Sequence, residues 1–216
     1  MLLKVCGMRD VENMRGLEEE VRPDYMGMIF YPPSPRYVES KNSEDYATIQ
    51  LPKVGVFVNE PVDKVLETIE LFGLNGVQLH GRESMQYIEE LREKSEVFVW
   101  KVWSVKDNLD WDALALVEPV VDAFLFDTFT EAHGGSGKVF NWQILETYPF
   151  STPFFLSGGL GQEHAAAIRE LKERIPQLVG VDLNSKFEIS PGFKDIKRLV
   201  AFKNSLVNTE INEGSR

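Results

Sequence analysis

Eight short apolar runs, each set apart from the next by helix-like spacing, constrain this chain more than any other feature. They are Leu2–Cys6, Tyr25–Phe30, Val54–Val58, Gly76–Leu79, Val97–Trp103, Ala123–Asp127, Pro153–Leu156 and Val179–Leu183. Most are continuously apolar, not alternating, which is the pattern of parallel strands covered on both faces. Between them, amphipathic stretches predict helices over Pro61–Leu71, Ser84–Lys94, Gln162–Arg174 and Lys194–Val207. The interval after Trp103 reads least clearly as a helix. Strand alternating with helix in this way demands parallel pairing through right-handed crossovers, and eight units close into a single-domain (β/α)8 barrel of the α/β class. An open doubly wound sheet is the main alternative. No Gly-x-Gly-x-x-Gly follows the first strand, which weakens its dinucleotide-binding version. No linker or composition break interrupts the chain, so one barrel domain is expected over residues 1–208, with a polar, frayed tail over 209–216.

The runs end in polar and glycine-rich segments, on the rim where barrels place their active sites. The first ends at Cys6-Gly7 and the second at Tyr31-Pro32-Pro33-Ser34-Pro35-Arg36-Tyr37. The third ends at Asn59, and the fourth, through Gln78, at His80-Gly81. The sixth ends at Asp127, the seventh at Ser157-Gly158-Gly159-Leu160, and the eighth, through Asp182, at Asn184-Ser185-Lys186. Each residue alone has a plainer reading: Cys6 as core filling, Asp127 as a turn cap, Arg36 as a solvated loop charge, His80 as a core histidine. The Gly158-Gly159 pair lies between strand and helix, where backbone N–H groups can face an anion; a tight turn is the alternative. Asn184 and Ser185 would complete that phosphate site. Gly134-Gly135-Ser136-Gly137-Lys138 falls short of a P-loop and reads as a loop over the site.

Charge and composition limit the partners. A formal net charge of −11 argues against nucleic-acid or anionic-membrane surfaces and is compatible with a small ligand at a local positive site. No apolar run approaches a membrane span and no signal sequence is evident, so a cytoplasmic protein is expected. A single cysteine allows no intrachain disulfide, and the histidines at 80, 133 and 164 do not form a metal set, so no metal is expected. His164 falls on a predicted helix and reads as a surface residue.

The blocks Lys4-Val5-Cys6-Gly7-Met8, Phe30-Tyr31-Pro32-x-Ser34-x-Arg36-Tyr37, Val54-Gly55-Val56-Phe57-Val58-Asn59, Val77-Gln78-Leu79-His80-Gly81, Phe126-Asp127-Thr128, Gly134-Gly135-Ser136-Gly137-Lys138-x-Phe140-x-Trp142, Leu156-Ser157-Gly158-Gly159-Leu160 and Pro191-Gly192-x-Lys194-Asp195 recur in this order. Together they resemble the phosphoribosylanthranilate isomerases, (β/α)8 enzymes of tryptophan biosynthesis, nearly end to end. The resemblance implies an Amadori rearrangement of N-(5'-phosphoribosyl)anthranilate to the 1-deoxyribulose phosphate. It implies Cys6 as general base, Asp127 as general acid and Arg36 on the anthranilate carboxylate. Gly158, Gly159, Asn184 and Ser185 would hold the phosphate, with Gly7, Gln78, His80 and Asp182 lining the site. No cofactor is implied, and the oligomeric state is left as monomer or homodimer. An enclosed carboxyl near a phosphate should be held protonated, as ring opening requires. A thiolate can serve as the base where its pKa is lowered. Lys4 points to the same side of its strand but one register deeper, and is not assigned that lowering. The family's usual Ser-Ser-Gly after the eighth strand is Asn184-Ser185-Lys186 here, which puts the backbone of that half-site in doubt. Lys186 would add a positive charge or point to solvent. Other phosphate-binding barrels, such as indole-glycerol-phosphate synthases and ribulose-phosphate epimerases, are the enzymatic alternatives; a catalytically silent binding barrel is the non-enzymatic one.

Overall fold

The structure is a computed structural model in which residues 1–39, 43–106, 108–128 and 140–207 are described. Eight parallel strands close in sequence order: β1 (Leu2–Val5), β2 (Tyr25–Ile29), β3 (Lys53–Phe57), β4 (Gly76–Leu79), β5 (Phe98–Val105), β6 (Ala123–Thr128), β7 (Phe154–Leu156) and β8 (Leu178–Leu183). β8 pairs back onto β1, with Lys4 opposite Asp182, so no edge is left in the barrel. Every residue of β3 and β4 is buried. That two-sided burial is why these strands read as unbroken apolar runs.

Two cores result. Around the outside, the apolar stripes of α3 (Val62–Phe72), α4 (Met85–Lys94), α6 (Ala165–Arg174) and α7 (Ile196–Val207) pack on the strands. Inside, Val54, Trp100, Val102, Ala123, Leu125 and Phe155 form a separate cluster, with Tyr25 and Phe98 packed against it. Tyr25 meets Trp100 edge-on at 4.9 Å, and Trp100 meets Phe155 at 4.4 Å. This aromatic plug fills the bottom of the barrel and confines any cavity to the top.

The first unit's helix, α1 (Val11–Gly16), was not anticipated; it continues as a π-helical turn over Leu17–Val21. It starts where the Asp10 carboxylate accepts from the Asn13 N–H (2.8 Å), and it buries Met14, Leu17 and Val21. The short α2 (Ser43–Ala47) was also unexpected, and α5 (Trp111–Ala115) is only one turn and a half of the doubtful interval. The last helix begins at Ile196, not Lys194, because Phe193–Lys194 forms β10, paired antiparallel with β9 (Glu188–Ser190). This hairpin is tied to the front of the chain. Asn13 donates to the Lys194 carbonyl (2.9 Å) and accepts from its N–H (2.7 Å). The loop reading of residues 134–138, His133 and the tail 209–216 lie outside the described residues.

Candidate active site

A cleft of about 880 Å³, counted out to its mouth, opens at the C-terminal end of the strands. Its lining includes Cys6, Arg36, Gln78, His80, Asp127, Gly158, Gly159, Asp182, Asn184, Ser185 and Lys186. The polar residues picked from the strand exits, other than Asn59 and Tyr37, therefore meet in one cavity; Tyr37 lines a separate pocket with Phe30 and Phe72. Asn59 instead braces the loop after β4, its side-chain oxygen accepting from the Arg82 N–H (2.6 Å). Gly7 sits beside the cleft, with φ +73°. His164 is not a plain surface residue: its Nδ1 accepts from the Gly161 N–H (2.9 Å), and four-fifths of the side chain is covered, at 20% exposure.

Cys6 extends β1, its N–H bonding to the Leu183 carbonyl (2.8 Å), and the thiol is buried. Burial pushes the thiol pKa up; the Lys4 ammonium is the main opposing influence, and Asp182 adds to the rise. Lys4 is fully buried and bonded to Asp182 Oδ1 (2.8 Å). The depth of Lys4 in the strand was read correctly, but its exclusion as a partner of Cys6 was not. A methyl placed on Gly27 would lie 2.8 Å from Cys6 Sγ and 3.0 Å from Lys4 Nζ, so the two atoms crowd the same point. Four methylenes carry the ammonium up from its own register toward the thiol.

Asp127 lies across the mouth on β6. Burial pushes its pKa up to about 7, and the charge of Asp182 adds to the shift. A carboxyl so placed is substantially protonated near neutrality, as a proton donor must be. His80 Nε2 is 3.6 Å from Asp127 Oδ2. The loop carrying His80 is fixed from behind by buried Lys101, which donates to the Gly81 carbonyl (2.8 Å) and to Glu83 (3.1 Å). Gln78 Oε1 is buried without a hydrogen-bond partner among the described residues.

Gly158 and Gly159 both adopt left-handed backbone (φ +84° and +66°) at the far end of the cleft. Asn184 contributes less than expected to an anion site, since its Oδ1 already accepts from Lys194 Nζ (2.8 Å), leaving its amide nitrogen. Ser185–Phe187 forms a 3-10 turn, and Lys186 is not among the described residues with positive φ. A glycine is therefore not required at 186 by backbone geometry, and the Lys186 side chain lines the cleft.

Arg36 is held by a residue that strand-exit reasoning missed. Its Nε and Nη2 donate to Glu188 Oε1 (2.8 Å) and Oε2 (2.6 Å). Glu188 also accepts from Lys194 Nζ (2.5 Å) and from the Gly192 N–H (3.0 Å). These partners outweigh its burial and hold its pKa down at about 2. The acidic residue four places past the β8 exit was the available signal, but its partner lies 152 positions earlier in the chain.

The model of the family N-(5'-phosphoribosyl)anthranilate (PRA) isomerase matches residues 3–205. An N-(5'-phosphoribosyl)anthranilate isomerase of Phocaeicola vulgatus is 42% identical over 206 residues, covering 95% of this chain and 98% of the relative. Among solved structures, phosphoribosyl anthranilate isomerase from Thermotoga maritima superposes with a TM-score of 0.83 at 31% identity, covering 95% and 98% of the two chains. A phosphoribosyl anthranilate isomerase in complex with reduced 1-(o-carboxyphenylamino)-1-deoxyribulose 5-phosphate superposes at 0.77 and 29% identity, with the same coverage.

Proposed function

Because the chain belongs to the N-(5'-phosphoribosyl)anthranilate isomerase family, we propose that its cleft carries out the family's Amadori rearrangement with Cys6 as general base and Asp127 as general acid. The protein is an isomerase of tryptophan biosynthesis, converting phosphoribosylanthranilate to 1-(2-carboxyphenylamino)-1-deoxyribulose 5-phosphate. The observation that carries the assignment of roles is the placement of a thiol and a carboxyl raised to about 7 on opposite walls of one cleft, on β1 and β6.

The chemistry runs in balance. Asp127 gives its proton to the furanose oxygen as the C1–O bond breaks, and the nitrogen lone pair forms the C1=N iminium. The Cys6 thiolate then removes the C2 hydrogen; the released pair forms the C1=C2 bond and quenches the iminium. The C2 hydroxyl of the enolamine then loses its proton, C2=O forms, and the C1=C2 pair takes a proton at C1, giving the aminoketone; the proton gained by Cys6 and the one lost by Asp127 are thereby balanced. Lys4, beside Cys6, favours the thiolate that this step needs. Arg36 meets the anthranilate carboxylate with a planar fork suited to it. Gly158, Gly159, Ser185, the Asn184 amide and Lys186 receive the phosphate at the other end, where barrel enzymes commonly bind it. The lone thiol fits a reducing cytoplasm; among the described residues no helix is long and apolar enough to cross a membrane.

Freshly prepared phosphoribosylanthranilate supplies the assay, through loss of anthranilate-type fluorescence. Cys6→Ala and Asp127→Asn should each lower kcat by about 10³-fold with circular dichroism unchanged. Turnover near that of the wild type in either variant rules out the role assigned to that residue.

A further inference from the structure

Glu188 takes one edge of the Arg36 guanidinium and leaves the other. A guanidinium offers two faces for paired bonding: the side-on edge, Nε with one Nη, and the end-on edge of the two Nη groups. Glu188 occupies the side-on edge through Nε (2.8 Å) and Nη2 (2.6 Å). No bond from Nη1 to a described side chain or carbonyl is present, and Arg36 lines the cleft. The ion pair is enclosed, with side-chain exposures of 12% and 6%. Glu188 is itself fixed from behind by Lys194 Nζ, whose side chain is fully buried and which also holds Asn184. Gly7 clears the way. A Cβ there would lie 2.7 Å from Arg36 Cδ and 2.7 Å from Asn184 Oδ1. Arg36, Lys194 and Glu188 together carry two positive charges and one negative, a net charge of +1 that matches one additional carboxylate.

From this we propose that Glu188 is a positioning residue that presents the end-on edge of Arg36 to the substrate's ring carboxylate, and so makes the site selective for carboxylated N-ribosyl arylamines over uncarboxylated ones. The proposal rests on the reading of Arg36 as the carboxylate-binding residue. An arginine side chain left free would lose rotamer freedom on binding; the clamp removes that cost before the substrate arrives. Since Glu188 keeps its own edge, the substrate adds a second carboxylate and does not replace the first.

Two probes test this by titration: the reduced product analogue bearing the ring carboxylate, and the same compound made from aniline, which lacks it. Glu188→Gln should weaken the carboxylated probe about tenfold and the aniline probe less than twofold. Arg36→Met should weaken the carboxylated probe about 100-fold, with little change for the other. Equal losses for both probes in Glu188→Gln, or no loss for either, overturn the positioning role while leaving Arg36 in place. Failure of Arg36→Met to discriminate overturns the reading of Arg36 and this proposal with it. A measurement on the wild type guards against a variant that does not fold. The Arg36 Nε–H should stay protected from solvent exchange when the carboxylated probe binds, because Glu188 still holds it. Loss of that protection on binding means Glu188 is displaced by the ligand, and overturns the proposal.

Discussion

Two carboxylates stand about the cleft, Asp127 in its lining and Glu188 behind Arg36, and their surroundings push them in opposite directions. Asp127 sits among buried groups with a second acid, Asp182, nearby, and its pKa rises to about 7. Glu188 is similarly enclosed but meets Arg36, Lys194 and a backbone N–H, and its pKa falls to about 2. Burial disfavours the charged form of both. The sign is decided by what the enclosure contains. The carboxyl proposed as proton donor has, among the described lysines and arginines, only Lys4 opposing its rise, whereas Glu188 is bonded directly to two cations.

The largest test of this contrast exchanges each carboxylate for its amide. Asp127→Asn should cost about 10³-fold in turnover yet stabilise the fold at pH 8. A raised folded pKa means that the Asp127 contribution to stability is complete below the unfolded value near 4 and is lost as the pH rises through 7. Three units correspond to about 4 kcal/mol; because the side chain is still 24% exposed, a gain of about 2 kcal/mol is expected at pH 8 and little at pH 4. Glu188→Gln should do the reverse. Its lowered pKa stabilises the fold above about 4.5, and that contribution is lost as the pH falls through about 2. The variant should therefore melt below the wild type at pH 7, and the gap should close in strong acid. Parallel shifts of both variants in thermal melts across pH 3–8 would break the comparison.

The pH dependence of kcat/KM tests the Asp127 wall against the Cys6 wall. In the proposed mechanism the active form pairs a protonated Asp127 with a Cys6 thiolate, although the thiol has the higher pKa of the two. Only a minor fraction of the enzyme is in that form, and it is constant between the two values. A profile rising to a plateau at about pH 7 and falling above the ordinary thiol value is expected. An alkaline limb below pH 8 would show that Cys6 is not raised. The smallest effect is at the proposed phosphate end, where Lys186→Ala should raise KM about threefold and flatten its dependence on salt. An unchanged KM and salt response would place that side chain outside phosphate binding.

How much of this was legible in the chain follows from range. Strands buried on both faces announce themselves as apolar runs, so all eight were found, and their exits pointed to the cleft. Cys6 and Asp127 could be placed at the cleft because each lies at the C-terminal end of its own strand. Helix α1 was missed although Met14, Leu17 and Val21 have helical spacing, since the acidic run Glu18-Glu19-Glu20 interrupts it. Glu188 was invisible for another reason. It lies at the start of a three-residue strand whose next residue, Ile189, is 70% exposed, and its partner Arg36 belongs to a distant loop. Strand alternation located Lys4 at the right depth, but it does not record how far a long side chain climbs.

The pairing of Arg36 with Glu188 also implies an order of events during synthesis. Arg36 leaves the ribosome 152 residues ahead of Glu188. At the usual 5–20 residues per second, the guanidinium waits roughly 8–30 s for the carboxylate that will orient it. The nascent chain thus holds Cys6 and Asp127 well before it holds the finished Arg36–Glu188 pair, which needs the chain through Lys194.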